Sequence, residues 1–526
     1  MKNIKSQRGS ITLLVVITVL FFIIITISVY VSNSNTRVSQ MQEIARIKEV
    51  YEADVDNTDE VYSKIIGGLE ETDGSWSEPE EVNSPDLIGT GLVPIEIGDN
   101  GDITEVIKGT EDWYSYTESD RKWANAITRD GSMWVWIPRY AYKITYNNSS
   151  DKAQGATIDI VFLKDDTNLD KNGNDVTQSN YQDEKGQIGA YTVHPAFQDG
   201  TNNNFANGEW DDEIRGFWVS KFEAGYPEGN NNIKKISSGL TYSANNASSN
   251  FYGSIVADTT EMYYPVFVPN TYSYNNIIIS DMYALCKTIG QPGNPYGFEP
   301  EEVDSHIMKN SEWGAIAYLT HSKYGRNGQE VTINNVNLNN SIPTINAVTG
   351  MAGADISSAV NITTIDKIMD GTSGSYTWET VQGRKASSTD TVYGVYDLSG
   401  GMYEYTSGYV YNGNASLDTY GYKLVHDGPV DQSTKYKTVY TKSSTDIHTD
   451  NYHQSVNMSR KGEAIWETST DGKGKTAWFA DYTVFPNRQY PFLRRGGYYG
   501  DTTSAGTFNF AGSGGGSGFH AIVVAV

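Results

Sequence analysis

The chain has 526 residues and a net charge of −25. This acidic surplus excludes a nucleic-acid-binding protein, because contacts with phosphate require a basic surface. Its only cysteine, Cys286, excludes an intramolecular disulfide and a multi-cysteine metal site. We therefore expect no cofactor, no metal and no nucleic-acid partner.

The first strong feature in chain order is an apolar segment, Ile11–Val31, that carries no charge. At ~1.5 Å per residue, a helix of this length spans a hydrocarbon core of ~30 Å. Lys2, Lys5 and Arg8 precede it, so the positive-inside rule predicts a cytoplasmic N-terminus and an extracellular body on a single-pass membrane protein. A cleaved secretory signal is the alternative. It is disfavoured because the apolar run is long and no small-x-small cleavage site follows.

The remaining sequence divides by composition. Residues 1–9 form a basic leader, and helical spacing of apolar residues extends the membrane helix into a stem, 10–66. Residues 67–131 are acidic and rich in Gly, Pro and Ser, which is typical of a linker or neck. The globular body, 132–526, follows, with long Asn/Thr/Ser/Gly-rich stretches that read as irregular insertions, one of them 412–474.

Within the body, alternating apolar and aromatic residues predict strands, and 3.6-residue periodicity predicts helices. The strand candidates are Trp134–Pro138 with the residues up to Ile144, Ile158–Leu163 and Gly216–Glu223. The helix candidates are Ser280–Thr288 and Ser311–Thr320. The pattern indicates an α+β fold.

The leader resembles that of type IV prepilins. The matching residues are Gln7-Arg8-Gly9-Ser10-Ile11-Thr12-Leu13-Leu14. The resemblance implies pilins as partners and cleavage after Gly9 by a prepilin peptidase. Major pilins carry Glu at the fifth mature position, where this chain has Leu14, so the resemblance points to a minor or membrane-held pilin-like protein.

A second resemblance covers residues 132–526. The motifs occur in one order along the chain: Trp136-Ile137-Pro138, Phe217–Glu223, Tyr283-Ala284-Leu285-Cys286, Ser311-Glu312-Trp313, Tyr396–Tyr405, Arg495-Gly496-Gly497 and Gly518-Phe519-His520 before a hydrophobic strand. This series resembles the formylglycine-generating-enzyme (sulfatase-modifying factor) superfamily, which implies a C-type lectin fold for the body.

The resemblance also bears on chemistry. Oxidising members of that superfamily need reactive cysteines near the C-terminus, and none follows Cys286. The family's motif Asn after Gly400 is replaced by Gly401, which weakens an inherited metal site. Glu312 and Glu404 could form a carboxylate pair for acid–base catalysis. Both sit in scaffold motifs, so we expect structural roles for them, with no catalytic residues in the chain.

The motif glycines and aromatic residues have structural roles in this interpretation. Glycine permits turns that a Cβ would close, which we expect for Gly400, Gly401, Gly496 and Gly497. Trp313, Tyr403 and Tyr405 are expected to fill the core.

One branch of this fold comprises the variable proteins of diversity-generating retroelements, in which the segment between Arg-Gly-Gly and Gly-Phe-Arg is rewritten at adenines. Residues 497–518 resemble such a segment, and they contain none of the five residues that randomised Asn codons cannot encode: Lys, Glu, Gln, Met and Trp. A simple Gly/Ser/Thr-rich closing loop is the alternative. The candidate ligand contacts are Tyr498, Tyr499, Asp501, Thr503, Asn509, Ser513 and Ser517.

Three functions follow from these patterns. The favoured one is a non-enzymatic, adhesin- or receptor-like protein at the cell surface that binds an extracellular protein or glycan through a diversified segment. The second is a minor pilin-like subunit of a type IV pilus or secretion pseudopilus. The third is an oxidase of the sulfatase-modifying type, which the cysteine content disfavours.

Overall fold

Strands predominate in the structure, a computed structural model that describes residues 82–87, 90–106, 113–225, 264–274, 277–300, 302–338, 346–353, 356–362, 374–442, 452, 457, 459–513, 516–517 and 521–525. In chain order the strands are β1 (Val93–Ile97), β2 (Ile103–Glu105), β3 (Asn125–Ile127), β4 (Met133–Pro138), β5 (Tyr140–Tyr146), β6 (Ala156–Phe162), β7 (Thr192–Val193), β8 (Gly216–Ser220), β9 (Ile277–Ile278), β10 (Val303–Ile307), β11 (Val336–Leu338), β12 (Asn346–Ala347), β13 (Met351–Gly353), β14 (Val360–Ile362), β15 (Ser375–Thr377), β16 (Glu404–Val410), β17 (Thr438–Tyr440), β18 (Lys473–Lys475), β19 (Tyr482–Val484), β20 (Phe492–Arg495), β21 (Phe510–Ser513), β22 (Gly516–Ser517) and β23 (Ala521–Ala525). Within these ranges the α-helices are α1 (Ile279–Thr288), α2 (Asn310–His321) and α3 (Ser416–Val425). The predicted α+β class is confirmed.

The largest sheet has seven antiparallel strands in the order β10-β23-β8-β4-β3-β1-β2. Its central strands β4 and β8 are buried along their whole length, which explains why both read as unbroken apolar and aromatic runs. The C-terminal strand β23 lies between β10 and β8, so the last residues of the chain complete a sheet begun by its first strands.

A second, six-stranded sheet has the order β17-β16-β20-β21-β19-β18. It is mixed: β16 pairs with β17 in parallel and with β20 antiparallel, and β19 pairs with β21 in parallel. Strands β20 and β21 form an antiparallel pair in which Arg495 lies opposite Phe510. The chain from Gly496 to Asn509 therefore forms the loop that connects this pair.

The remaining strands form small sheets around these two. β5 pairs with both β6 and β7, β11 with β12 and β14, β13 with β15, and β22 with β9. The strand predicted around Ile158 is confirmed as β6, whereas the single strand predicted from Trp134 to Ile144 is divided at Arg139 into β4 and β5, which belong to different sheets.

The predicted helices are confirmed to within a residue at each end. α1 packs against β10, and every residue of α2 is buried. Glu312 in the first turn of α2 accepts a hydrogen bond from the backbone N–H of Lys309 at 2.7 Å, which stabilises the start of the helix. The third helix, α3, lies in the stretch 412–474 that the sequence indicated as irregular.

The body begins earlier than predicted. Residues 82–131 were assigned to a neck, yet β1 to β3 occupy part of that range and extend the seven-stranded sheet. Trp113 and Trp123 are buried there, and the Tyr116 hydroxyl donates to the Trp136 carbonyl at 2.6 Å. The prediction from composition was wrong because the few deeply buried apolar residues in this range are outnumbered by acidic and small residues at exposed positions.

No helix among the described residues is long and apolar enough to cross a membrane. The leader, the predicted span Ile11–Val31 and the stem all lie outside the described part of the chain. Their assignment stays a prediction from sequence.

Candidate functional site

The predicted variable segment, 497–518, covers all but the first residue of the loop 496–509, which is held at both ends by buried residues. At its start, Arg495 is fully buried and donates to the backbone carbonyls of Glu463 at 3.0 Å and Ala464 at 3.1 Å. At its end, Phe510 is fully buried and paired with Arg495 in the sheet. Because Arg495 and Phe510 both lie in the core, the two ends of the loop are held in fixed positions.

The C-terminal part of the loop, residues 505–509, is also anchored. The Phe508 ring packs against Trp478, with ring centroids 4.8 Å apart, and its N–H donates to Asp481 at 2.9 Å. The indole N–H of Trp313 donates to the Thr507 carbonyl at 2.8 Å. Residues 505–509 therefore lie inside, and the preceding half of the loop is pushed outward.

The two glycine pairs of the sequence motifs meet beneath the loop. All four have positive φ: +80° at Gly400, +69° at Gly401, +79° at Gly496 and +76° at Gly497. The N–H of Gly400 donates to the Gly496 carbonyl at 3.1 Å, which ties the two turns together. The expected role of these glycines in tight turns is confirmed.

The outer half of the loop displays side chains. Thr503 is exposed, and Tyr498, Tyr499 and Asp501 are partly exposed. The Tyr499 N–H donates to the Gly401 carbonyl at 2.8 Å, so the backbone carrying these side chains is fixed to the lower turn. Four of the seven predicted contact residues thus lie in the exposed part of one loop.

Two residues that sequence reasoning did not assign to the site join this surface. The Tyr403 ring lies 5.0 Å from that of Tyr498, and the Arg494 guanidinium lies 3.4 Å above the Tyr403 ring centroid. Tyr403 was expected in the core with Trp313 and Tyr405; those two are buried, but Tyr403 is only partly so. We call Tyr403, Arg494, Tyr498, Tyr499 and Asp501 the tyrosine cluster.

Asp501 is held within the tyrosine cluster. Its carboxylate accepts a hydrogen bond from the Tyr498 backbone N–H at 3.3 Å and another from the Tyr403 side chain. Burial raises the pKa of Asp501, and these hydrogen bonds partly offset the increase. The sequence held one signal for the cluster, because Arg494 directly precedes the Arg-Gly-Gly motif. The direction of the Arg494 side chain, however, depends on the register of β20.

Two predicted contacts are corrected by the structure. Asn509 is 1% exposed and donates from Nδ2 to the Ser504 carbonyl at 2.9 Å. Ser513 is 9% exposed, and its Oγ accepts a 2.6 Å hydrogen bond from the Tyr405 hydroxyl. Both residues hold the loop and β21 in place, so neither offers its side chain to a ligand. Ser517 lies in β22, of which the backbone alone is described.

Buried carboxylates support the turns below the loop. Glu223 accepts from the Met402 N–H at 2.9 Å, and Asp397 accepts from the Gly350 N–H and from Asn334. Burial, and next the nearby Asp397, raises the pKa of both Glu223 and Glu404. These groups organise backbone from several segments.

Glu312 belongs to a different network. It accepts from His306 Nε2 at 2.9 Å and lies 3.3 Å from the Lys309 ammonium. Burial raises the pKa of Glu312, but these two basic neighbours outweigh it and hold the pKa below its ordinary value. Glu312 and Glu404 are thus in electrostatically opposite surroundings.

No protein-family model matches the chain, and no curated protein matches it. Within the described ranges, no group of three or more His, Cys, Asp or Glu side chains is arranged to hold a metal ion. Cys286 is completely buried in α1, and burial raises the pKa of its thiol well above the ordinary value. A fixed loop with displayed aromatic and polar side chains is suited to binding by surface contact.

Proposed function

We propose that this protein is a surface-displayed, non-enzymatic ligand-binding protein, adhesin- or receptor-like, whose C-type-lectin-fold body presents the loop 496–509 to its ligand. One observation carries the proposal: buried anchors fix the ends and the inner half of the loop, while Tyr498, Tyr499, Asp501 and Thr503 project from its outer half. Tyrosine supplies a large contact area at a small loss of conformational entropy, which suits such a surface.

The order of the elements supports the fold assignment. The motifs that resemble the formylglycine-generating-enzyme superfamily fall on β4, β8, α1, α2, the turn before β16, and β20 with its loop. The closing hydrophobic segment is β23, placed between β8 and β10. A series of short strands joined through one C-terminal strand agrees with a lectin-type body.

We further propose that a retroelement diversifies the displayed positions. Variation there is compatible with the fold because Tyr498, Tyr499, Asp501 and Thr503 reach solvent, whereas the buried anchors of the loop tolerate little change. A genomic inspection tests this part alone. We expect a reverse transcriptase near the gene and a near-copy of the final coding segment that differs at adenines; absence of both contradicts diversification and leaves ligand binding unaffected.

A library experiment tests the binding surface. Positions 498, 499, 501 and 503 are randomised in one library, and the buried positions 505, 508 and 509 in a matched control library; both are displayed and selected against immobilised lysozyme. We expect the first library to yield folded binders and the second to yield mostly unfolded protein. Equal intolerance of both libraries, measured by melting temperature, contradicts the proposal.

The minor-pilin alternative depends on the leader, where the Gly9–Ser10 peptide bond is the candidate cleavage site. Recovery of the protein with purified pili would favour this function, and recovery in plain membrane fractions alone would reject it. The oxidase alternative needs an accessible thiol, and the burial of Cys286 speaks against one. Copper-dependent turnover by the purified body would revive it.

A further inference from the structure

A polar groove runs along β6, built from residues outside the loop 496–509. It has two adjoining parts of about 320 Å³ and 130 Å³, and both are lined by Ile160 and Val161 of β6 together with Asp183, Glu184 and Lys323. The larger part reaches the lower size limit of ordinary small-molecule sites. The groove is therefore large enough to hold part of an oligomeric ligand.

One wall of the groove contains a turn centred on Asp170. Its Oδ1 accepts from the backbone N–H groups of Asn172 at 2.9 Å and Asn174 at 2.8 Å, and its Oδ2 accepts from the Tyr181 hydroxyl at 3.2 Å. The Gly173 N–H closes the turn on the Asp170 carbonyl at 2.9 Å. The Asp170 carboxylate is used within the turn.

A second turn repeats this arrangement around Asp183. Its Oδ1 accepts from the N–H groups of Lys185 at 2.9 Å and Gln187 at 2.8 Å, and its Oδ2 accepts from the Tyr191 hydroxyl at 2.7 Å. Gly186 closes the turn on the Asp183 carbonyl at 2.9 Å, as Gly173 does in the first. The groove is thus bordered by two rigid turns of one design, which present their exposed tips to the same opening.

The charges along the groove determine which ligands fit. Five carboxylates and three ammonium groups line its two parts, so the lining is net acidic, as is the chain. Lys185 forms an ion pair with Asp159 at 2.5 Å, and Lys323 pairs with Glu184. Anionic ligands are repelled. Lys185, Lys323 and four of the carboxylates are engaged in ion pairs or in the turns, while the exposed Glu118 and Lys171 contribute one charge of each sign.

Uncharged polar groups are also accessible in the groove, beside these charges. Asn172 and Gln182 are exposed, and an amide group contains both donors and an acceptor; the Gln182 Nε2 uses one donor on the Gly186 carbonyl at 3.4 Å. The partly buried Tyr324 ring packs against Phe162 at 4.7 Å between centroids and forms part of the opposite wall. Amides beside an aromatic ring match a ligand with many hydroxyl groups, each of which can donate and accept.

From this chemistry we propose that the β6 groove binds a neutral oligosaccharide. The site shares no lining residue with the tyrosine cluster, so it does not rest on the function proposed for the loop. Its ligand is recognised by fixed turns and amide side chains.

An oligosaccharide array tests this proposal with the purified body. The probes are neutral hexasaccharides of glucose, xylose, mannose and N-acetylglucosamine, beside sialylated, sulfated and cationic glucosamine oligomers. We expect retention of at least one neutral class. The double variant Asn172→Ala/Gln182→Ala should then bind about tenfold more weakly, because it loses the hydrogen bonds of both amide side chains.

The matched control is Gln489→Ala, which removes an exposed amide elsewhere, and Y498A/Y499A serves as the control for the loop. Both should bind the neutral oligosaccharide like the unmodified body, and all variants should keep its melting temperature. Failure to retain any neutral probe, retention of charged probes alone, or undiminished binding by the groove variant each overturns the proposal. Loss of oligosaccharide binding in Y498A/Y499A would also overturn the proposal, because it would place the binding site on the loop.

Discussion

Asn509 and Thr503 belong to the same loop and are both small and polar, yet the structure gives them opposite environments. Asn509 is 1% exposed and bonded to the Ser504 carbonyl, whereas Thr503 is exposed. We expect Asn509→Ala to lower the free energy of unfolding by about 1–2 kcal/mol, because it leaves a cavity and an unsatisfied carbonyl. Thr503→Ala should stay within about 0.5 kcal/mol of the unmodified protein. Urea denaturation of both variants measures the difference; equal stabilities contradict the burial described for Asn509.

Glu463 is a residue whose ionisation affects stability. Burial raises its pKa to about 7, despite Arg460 and the hydroxyls of Tyr440 and Tyr452. The folded protein therefore binds this proton more tightly than the unfolded chain, whose Glu pKa is about 4.3. The stabilisation that comes from the raised pKa of Glu463 is complete below about pH 4.3 and declines as pH rises toward 7.

Glu463→Gln checks this linkage. The amide keeps the shape and the acceptor oxygen for Tyr440 but cannot ionise. We expect the variant to lose stability less steeply than the unmodified body between pH 4.5 and 7. Thermal melting across that range, with Glu105→Gln on an exposed strand position as the control, measures the two slopes. Parallel curves for E463Q and the unmodified body would show that Glu463 does not titrate there.

At the scale of elements, the loop depends on a turn that only glycine fits. Gly497 has φ +76°, and a Cβ there would lie 2.7 Å from the Cα of Ala505. Gly413 has the same φ but nothing within 4 Å of its Cβ position, which makes it a matched control. Gly413→Ala should cost about 1–2 kcal/mol for the left-handed backbone alone.

Gly497→Ala should cost about 1–3 kcal/mol more than Gly413→Ala, because the loop has to move away from its anchors. It should also weaken any ligand binding by the tyrosine cluster. Chemical denaturation of the two variants side by side gives the comparison, and similar losses would mean that the contact between Gly497 and Ala505 is loose.

Three of the elements predicted from sequence are completely buried. β4, β8 and α2 are buried throughout, so their apolar patterns were visible without knowledge of any partner. Helix α3 was missed because it is short and interrupted by Gly421. A Cβ at Gly421 would lie 2.4 Å from the Phe492 ring, so packing against β20 requires the residue that weakened the helical pattern.

On the scale of the whole molecule, the early strands are part of the body. β1 to β3 complete one side of the seven-stranded sheet, and the Trp136 indole donates to the Asn83 carbonyl at 3.1 Å. We expect a fragment of residues 67–526 to unfold cooperatively and a fragment of residues 132–526 to aggregate or lose its near-ultraviolet circular dichroism. Size-exclusion chromatography and thermal melting of both fragments measure this. A stable 132–526 fragment would restore the boundary indicated by composition.

The candidate site was only partly predictable. The segment and four displayed residues followed from the resemblance to variable proteins, because the Arg-Gly-Gly motif marks where the loop starts. Which residues of the segment are buried could not be predicted, because Asn509 and Ser513 belong to residue types that are usually exposed. Tyr403 and Arg494 were missed because they reach the site from a neighbouring turn and strand.

By itself the sequence determined the α+β class, the two buried helices, the central strands and the glycine turns, because each depends on local periodicity or backbone freedom. The apolar segment Ile11–Val31 and the outward orientation of the body also rest on sequence, as predictions. Only the tertiary structure decided where the body begins, which loop residues are anchors, and that two equivalent turns border a polar groove on β6. Those properties depend on contacts between residues far apart in the chain, and composition and periodicity do not encode such contacts.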